Sequence, residues 1–146
     1  MFRLDAVKIL LVEDNPADAR LVIEAFKYSK IETTIYVADD GHKAMEFLKN
    51  QGSYTKAPKP DMVILDLNLP RKDGREVLKE IKGHETLKLI PVVILTTSTA
   101  EEDILNTYKN YANCYITKPV DLDKFISVIK SIQDFWLSKV ELPSKM

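Results

Sequence analysis

The feature that most constrains this chain is an apolar run that leads directly into an acid. Residues 62–65 read Met-Val-Ile-Leu, Asp66 follows at once, and Asn68 and Pro70 come close behind. A run of this length between turn-forming residues predicts a β-strand that is buried on both faces. Because open α/β sheets bind their ligands at the carboxyl ends of strands, Asp66 is a candidate reactive residue.

Similar apolar segments along the chain predict the other strands. The five expected strands are Val7–Val12, Thr33–Val37, Met62–Leu65, Pro91–Leu95 and Cys114–Thr117. Apolar residues that recur at helical spacing predict a helix after each strand. Asn15 and Pro16 predict the start of the first helix, and Asp121 predicts the cap of the last. Thr99 with Glu102 predicts a capping box for the fourth helix.

Alternation of strands with helices restricts the fold class. Parallel strands need long crossover connections, and these are right-handed, so five such units predict an α/β fold with a doubly wound, five-stranded parallel sheet and five helices. A chain of 146 residues suits one domain. We therefore expect a single domain over residues 1–146, with a core at about 7–137. Residues 138–146 show no periodicity from Leu142 onward and are expected to form a loose tail.

Composition excludes several functional classes. The 21 basic and 22 acidic residues give a net charge of -1, which provides no electrostatic basis for binding nucleic acid or a membrane surface. The single cysteine, Cys114, excludes an internal disulfide and a cysteine-based zinc site. His42 and His84 lack a second histidine at ligand spacing and are interpreted as surface or cap residues. With no signal peptide or long apolar span in the sequence, we expect a cytoplasmic protein.

Polar side chains end four of the predicted strands, and a parallel sheet brings these ends to one edge. The residues are Glu13 and Asp14, Asp66, Thr96 and Lys118. Three carboxylates at close range repel one another unless a cation neutralises them, and a hard divalent ion, Mg²⁺ or Mn²⁺, suits such oxygen ligands. Lysine and hydroxyl groups beside a metal suit phosphoryl chemistry, in which a carboxylate can attack phosphorus.

The same residues, with Pro70, Gly74 and Pro119, resemble the receiver domain of two-component response regulators. The resemblance covers about residues 7–137 and implies a flavodoxin-like sheet with strand order 2-1-3-4-5. Three shorter stretches resemble the small stand-alone regulators that are paired with phytochrome kinases. These are the Leu-Asn-Leu-Pro after Asp66, the Leu-Thr-Thr-Ser that contains Thr96, and the Phe-Trp-Leu near the end.

This resemblance implies a role for each matching position. Asp66 would be the phospho-acceptor, and it would hold Mg²⁺ together with Glu13, Asp14 and the backbone carbonyl of Asn68. The family pattern also implies a cis peptide bond before Pro119.

Further positions would act on the phosphoryl group or respond to it. Thr96 and Lys118 would contact its oxygens, and Tyr115 would be an aromatic switch that moves inward when Thr96 shifts. Asn68 and Ser98 would flank the path of an attacking water and tune the lifetime of the acyl phosphate.

The function most consistent with these residues is a signalling switch that receives its phosphoryl group from a sensor histidine kinase, with a phytochrome-type kinase as one candidate. No output domain is evident in the sequence, so we expect output through protein contact. The surface of the fourth helix, fifth strand and fifth helix is the expected contact face. A homodimer through that face, or through Phe135, Trp136 and Leu137 at the C-terminal end, is plausible. Trp136, Leu137 and Leu142 could instead fold back on the domain.

Two other functions remain open at this stage. A metal-dependent phosphatase of similar layout would also form an aspartyl-phosphate, but it normally needs a second acid two residues after the nucleophile, where this chain has Asn68. A pseudo-receiver would act only as an adaptor, and the intact set of Asp66, Thr96 and Lys118 argues against it.

Overall fold

The structure is a computed structural model of the chain that describes residues 6–119, 121–137, 142 and 143. In this part, strands and helices alternate as expected. The strands are β1 (Val7–Val12), β2 (Thr33–Ala38), β3 (Met62–Leu65), β4 (Val92–Thr96) and β5 (Cys114–Thr117). The helices are α1 (Pro16–Phe26), α2 (Gly41–Lys49), α3 (Gly74–Gly83), α4 (Glu101–Lys109) and α5 (Leu122–Ile132). Short 3₁₀ turns span Gly52–Tyr54 and Leu87–Leu89, and a π-helical turn at Gln133–Leu137 extends α5.

The five strands form one parallel sheet in the order β2-β1-β3-β4-β5, which confirms the expected fold class. Val12 pairs with Ala38 on one side and Leu65 on the other. Thr96 pairs with Thr117 at the far edge of the sheet. The register therefore brings the carboxyl ends of β1, β3, β4 and β5 to the same edge, where Asp66 and Lys118 follow their strands.

The sheet is buried on both faces because its central strands, β1, β3 and β4, are apolar at every position except Lys8 and Thr96. In β1, Ile9 and Leu11 pack toward α1 and α5, whereas Leu10 and Val12 pack toward α2 and α3. This alternation follows from the two-residue period of a strand. Helix α4 contributes one fully buried residue, Thr107, among the described residues, so it is held less by apolar packing than the other helices.

Helix caps bear out two predictions and correct one. Asn15 Oδ1 accepts hydrogen bonds from the amides of Ala17 and Asp18, and Asp121 caps α5 through the amide of Lys124. The capping box predicted at Thr99 is wrong. Helix α4 begins at Glu101 with Ala100 in the cap position and no side-chain cap. Ser98 Oγ accepts the amide of Ala100 instead, so the chain turns into the helix one residue later than expected.

Leu142 does not behave as part of the expected loose tail. Leu142 is 1% exposed and packs in the core beneath α1 and α5, and Trp136 is partly buried against the same core. Phe135 is 56% exposed, although its ring meets Trp136 edge-on. Of the two alternatives for this apolar end, Trp136 and Leu142 fold back while Phe135 faces outward. The side chain of Leu137 and the rest of residues 138–146 except 142 and 143 lie outside the described residues.

Two residues that the sequence marked as structural behave in that way. His84 Nδ1 accepts hydrogen bonds from the amides of Thr86 and Leu87 and so caps the 3₁₀ turn that follows. Cys114 is a free, half-buried thiol that packs against the core. Within the described ranges, none of the helices has the length and apolar character that crossing a membrane requires.

Candidate functional site

The site is built around the end of β3. All four residues of β3 are buried, and the amide of Asp66 continues the ladder by donating to the carbonyl of Val12 at 3.0 Å. Asp66 itself is 6% exposed. Gly74 packs against this position so closely that a Cβ there would lie 2.1 Å from the Asp66 carbonyl oxygen. Only glycine fits, and its absent side chain allows α3 to start directly behind Asp66.

Three carboxylates from two adjacent strands converge at this edge. One oxygen each from Glu13, Asp14 and Asp66 lies within 4.8 Å of the others. Glu13 and Asp66 are buried, whereas Asp14 is exposed, so the cluster opens to solvent on one side. A set of closely spaced hard oxygen donors with an open side fits Mg²⁺ or Mn²⁺, which retain several waters when bound. The three residues predicted from sequence are thus brought together in a way that could hold such an ion.

Lys118 occupies the centre of the charged cluster. Its side chain is 5% exposed, and its Nζ lies 2.5 Å from Glu13 Oε1, 2.7 Å from Asp66 Oδ2 and 2.9 Å from Asp18 Oδ2. Its backbone amide donates to the carbonyl of Thr96 at 2.7 Å, so the end of β4 positions it. An ammonium group has three donors, and here each donor has one carboxylate.

Asp18 is the site residue that the sequence reasoning missed. Its carboxylate contacts Lys118 across 100 residues of sequence. The local pattern gives it an ordinary interpretation, because an acid in the first turn of a helix favours the positive end of the helix dipole. Asp18 lies three residues after the Asn15 cap, on the helix that follows Glu13 and Asp14. This position is the one signal in the sequence that its side chain would face the edge of the sheet where Glu13 and Asp14 lie.

Burial and charge set the ionisation of these groups. The pKa of Glu13 is raised to about 7, chiefly by burial and in part by the charge of Asp66, while the hydrogen bond from Lys118 acts in the opposite direction. Burial also favours the neutral form of Asp66, but the hydrogen bonds from Lys118 and Thr96 outweigh it and hold the pKa of Asp66 below its ordinary value. Burial of Lys118 favours its neutral form, yet the bonds to Asp66, Glu13 and Asp18 raise its pKa above the ordinary value. Asp66 is therefore an ionised carboxylate paired with a permanent cation.

The backbone of Asn68 contacts the side chain of Asp66, the candidate phospho-acceptor. The backbone amide of Asn68 donates a hydrogen bond to Asp66 Oδ1 at 3.3 Å, and Asn68 is exposed to solvent. This contact fixes the β3–α3 loop relative to Asp66. That the Asn68 carbonyl ligates a metal, and that its side chain tunes water attack, stay predictions.

The two residues expected to act as the switch, Thr96 and Tyr115, are linked through Ser98, which was expected to tune dephosphorylation. Thr96 is fully buried, and its Oγ1 accepts the amide of Ser98 at 3.5 Å. The hydroxyl of Tyr115 donates to the carbonyl of Ser98 at 2.9 Å. The hydroxyl of Ser98 donates to Asp103 at 2.7 Å, so it is directed toward α4. Its predicted effect on the attacking water therefore remains a prediction, and any substitution there also affects Asp103.

A second ionic cluster, which the sequence reasoning did not identify, connects α3 to α4. Arg75 donates to both oxygens of Asp103 at 2.8 and 2.7 Å and to both oxygens of Asp73 at 3.1 and 3.2 Å. It also lies 3.5 Å from the carbonyl of Leu67, next to Asp66. The loop that carries the candidate phospho-acceptor is thus tied to the helix that follows Thr96.

One backbone feature implied by the family pattern is absent. All peptide bonds of the described residues are trans, including the bond that precedes Pro119. The expected cis peptide is therefore not seen, although Lys118 reaches the site through its buried side chain.

Comparison with known proteins identifies the family to which the fold and the acidic cluster belong. The family model for the response regulator receiver domain matches residues 9–130, which is most of the chain. Among curated proteins, response regulator Rcp1 of Synechocystis sp. is 50% identical over 136 residues, which cover 93% of this chain and 92% of that protein.

Solved structures support the same relationship. One match is the crystal structure of the phosphorylated cyanobacterial phytochrome response regulator RcpA, which is 50% identical in sequence to this chain. The match covers 95% of this chain and 99% of the RcpA chain, with a TM-score of 0.92. The crystal structure of the Mn²⁺-bound form of response regulator Rcp1 is also 50% identical, covers 94% and 99% of the two chains, and has a TM-score of 0.89.

Proposed function

The chain belongs to the response regulator receiver family. We propose that it is a signalling switch in which Asp66 accepts a phosphoryl group from a sensor histidine kinase. The observation that carries the proposal is the setting of Asp66. It is 6% exposed, it lies 2.7 Å from the Lys118 ammonium, and it shares a cluster of oxygens with Glu13 and Asp14. No simple packing role requires an ionised carboxylate in this position.

The proposed reaction is an in-line phosphoryl transfer. An oxygen of the Asp66 carboxylate attacks phosphorus, the phosphorus–nitrogen bond of the kinase phosphohistidine breaks, and the electron pair remains on the imidazole nitrogen. Glu13, Asp14, Asp66 and the backbone carbonyl of Asn68 would hold Mg²⁺, or Mn²⁺ in its place. When bound, the cation supplies charge neutralisation for the phosphoryl oxygens.

Lys118 and Thr96 have complementary parts in this reaction. The Lys118 ammonium would pair with one phosphoryl oxygen, as it pairs now with Asp66. The buried hydroxyl of Thr96 would donate to another oxygen. Because Asp66 is kept ionised by its neighbours, it is ready to act as a nucleophile without a general base.

Output would follow through the residues next to Thr96. Ser98 joins Thr96 to Tyr115, so a shift of Thr96 would change the hydrogen bond of Tyr115 and bias a two-state equilibrium. The surface formed by α4, β5 and α5 would be read by a partner protein or by a second copy of the chain. This surface carries exposed apolar side chains at Leu105, Tyr108, Tyr111, Leu122 and, beyond α5, Phe135.

The kinase is proposed to be of the phytochrome type. RcpA is described as a phytochrome response regulator, and the similarity to it extends over 95% of this chain at 50% identity. We propose that residues 1–146 form one receiver domain that acts in the cytoplasm, where a sensor kinase has access to ATP.

Asn68 distinguishes the switch from a turnover phosphatase. A neutral amide at that position cannot protonate a leaving group, so hydrolysis of external phosphomonoesters lacks its general acid. The chain would therefore catalyse only its own phosphorylation and dephosphorylation. The pseudo-receiver alternative is disfavoured because Asp66, Lys118 and the acidic cluster are all in contact range.

A phosphotransfer assay tests the proposal. Purified protein is incubated with a panel of radiolabelled histidine kinases, one of them phytochrome-type, with Mg²⁺ or with EDTA. We expect label on the wild type with Mg²⁺ and none on Asp66→Asn, while the exposed control Asp123→Asn labels normally. Retained labelling of Asp66→Asn would refute the assignment of the acceptor, and absence of labelling by every donor, acetyl phosphate included, would favour an adaptor role.

A further inference from the structure

We propose that Asp18 is a positioning residue that anchors the Lys118 ammonium while the other two carboxylate partners of Lys118 take part in metal binding and phosphoryl transfer. This inference rests on the proposed function, because it assigns Asp18 a part in the same site. The observation behind it is a contact of 2.9 Å between Asp18 Oδ2 and Lys118 Nζ.

The backbone around Asp18 holds its carboxylate in a fixed place. Asn15 caps α1 and accepts the amide of Asp18 at 3.1 Å. Pro16 occupies the first helical position, where its restricted φ favours the helix. The Asp18 side chain is 25% exposed, so it reaches from the rim of the site to a lysine that is almost fully buried.

The three partners of Lys118 differ in what else they must do. Glu13 and Asp66 each contribute an oxygen to the candidate cation site, whereas Asp18 is not part of that group. A cation bound there would draw on the carboxylates of Glu13 and Asp66, both of which also contact Lys118. Asp18 is then the one partner of Lys118 that has no competing ligand.

Loss of this anchor has a defined consequence. A buried ammonium donor without a partner is costly, so Lys118 would turn its third donor toward Glu13 or Asp66. Those contacts would compete with the cation for the same two carboxylates. Asp18→Ala should therefore slow phosphorylation, whereas Asp18→Asn, which retains an acceptor oxygen, should largely preserve it.

If Asp18 only stabilises the N-terminus of α1, a different result is expected. Its contribution would come from charge near the helix N-terminus. Asparagine and alanine at position 18 would then behave alike, and neither effect would depend on Lys118. The comparison of the two substitutions, with and without Lys118, separates the two roles.

The first experiment measures coupling in the metal-free protein. Guanidinium unfolding midpoints are compared for the wild type, Asp18→Ala, Lys118→Met and the double variant. Anchoring predicts that Asp18→Ala lowers the midpoint when Lys118 is present and changes it little in the Lys118→Met background. Equal shifts in both backgrounds would overturn the proposal.

The second experiment measures phosphorylation by acetyl phosphate at saturating Mg²⁺. We expect Asp18→Ala to react about tenfold more slowly than the wild type, as loss of one charge-assisted hydrogen bond implies. Asp18→Asn should stay within about threefold by the same reasoning. The control is Glu24→Ala, which removes an exposed acid of the same helix, one that pairs with Lys27 among the described residues.

The outcomes separate this inference from the proposed function. Equal loss in Asp18→Ala and Asp18→Asn, or no loss in either, would overturn the anchoring role while leaving the phospho-acceptor intact. If the wild type takes no phosphoryl group at all, the proposed function fails, and the unfolding comparison still decides whether Asp18 anchors Lys118.

Discussion

Arg75 and Asp103 form a two-point salt bridge that joins the first turn of α3 to the first turn of α4. Asp103 also accepts the hydroxyl of Ser98, whose carbonyl accepts the hydroxyl of Tyr115. Helix α4 lacks a side-chain cap and contributes one fully buried residue to the described core. Its position relative to the loop after Asp66 therefore depends on this bridge more than on apolar packing.

We expect Arg75→Gln and Asp103→Asn to show coupled effects on stability. Each removes the same two-point interaction, so the double variant should be destabilised by less than the sum of the single variants, with a coupling of about 1 kcal/mol for a partly exposed pair. Chemical denaturation of the four proteins measures this. Lys79→Gln, an exposed cation on the same helix, is the control and should show no coupling with Asp103→Asn. Strict additivity at positions 75 and 103 would contradict the finding.

The same bridge predicts a pH dependence at acid pH. Hydrogen bonds from Arg75 and Ser98 lower the pKa of Asp103 from 3.8 to about 2. A lowered pKa in the folded state means that the contribution is fully present above about pH 4 and is lost as the pH falls toward 2. This shift adds at most about 2.5 kcal/mol to the free energy of unfolding, and solvent screening reduces that contribution further. The difference in the free energy of unfolding between the wild type and Asp103→Asn should therefore become smaller as the pH falls from about 4 toward 2. A difference that stays constant over this pH range would contradict the prediction.

Gly74→Ala should strongly destabilise the protein and weaken divalent-ion binding. Its Cβ would lie 2.1 Å from the Asp66 carbonyl oxygen, a backbone atom that cannot move without displacing the end of β3. Gly83, at the other end of the same helix, has no atom within 4 Å of a built Cβ. Gly83→Ala should be neutral or raise stability by up to about 1 kcal/mol, through helix propensity. Thermal melts with and without Mn²⁺ compare the pair, and equal effects would argue against the packing described.

Leu142→Ala should lower the free energy of unfolding by about 2–4 kcal/mol, which is typical for a fully buried leucine. Phe135→Ala removes a larger but exposed ring and should change it by less than about 0.5 kcal/mol. Denaturant titrations of both variants measure the difference. A larger effect at position 135 than at 142 would mean that the C-terminal end does not fold back on α1 and α5.

Asn68→Ala and Ser98→Ala should change the rate of autodephosphorylation more than they change metal affinity. Asn68 contacts Asp66 through its backbone, so its side chain is free to act on an approaching water. Ser98→Ala should show an additional loss of stability, because its hydroxyl supports Asp103. Phosphate release after acetyl phosphate labelling gives the rates, and Thr99→Ala, an exposed neighbour, is the control. Rates equal to wild type for both variants would exclude the proposed tuning.

Local patterns in the sequence determined the fold class of this protein. The apolar run before Asp66 predicted a buried strand, and alternation with helical segments predicted a parallel sheet because parallel strands require crossovers. Once the sheet is parallel, its geometry brings Glu13, Asp66, Thr96 and Lys118 to one edge. The strands and the candidate site were therefore predictable from patterns that extend over fewer than about ten residues each.

Only the tertiary structure decided how the charges at that edge are paired. Asp18 and Lys118 are separated by 100 residues, and Arg75 and Asp103 by 28. Such pairs carry no periodicity, and each partner has an ordinary local interpretation as a helix-terminal or surface charge. The sequence likewise left open whether Leu142 belongs to a loose tail or folds back, because the burial of a single residue leaves no periodic pattern. The periodicity that predicts strands and helices is encoded locally in the sequence. The pairing of charged side chains depends instead on which surfaces the fold brings into contact, so only the tertiary structure reveals it.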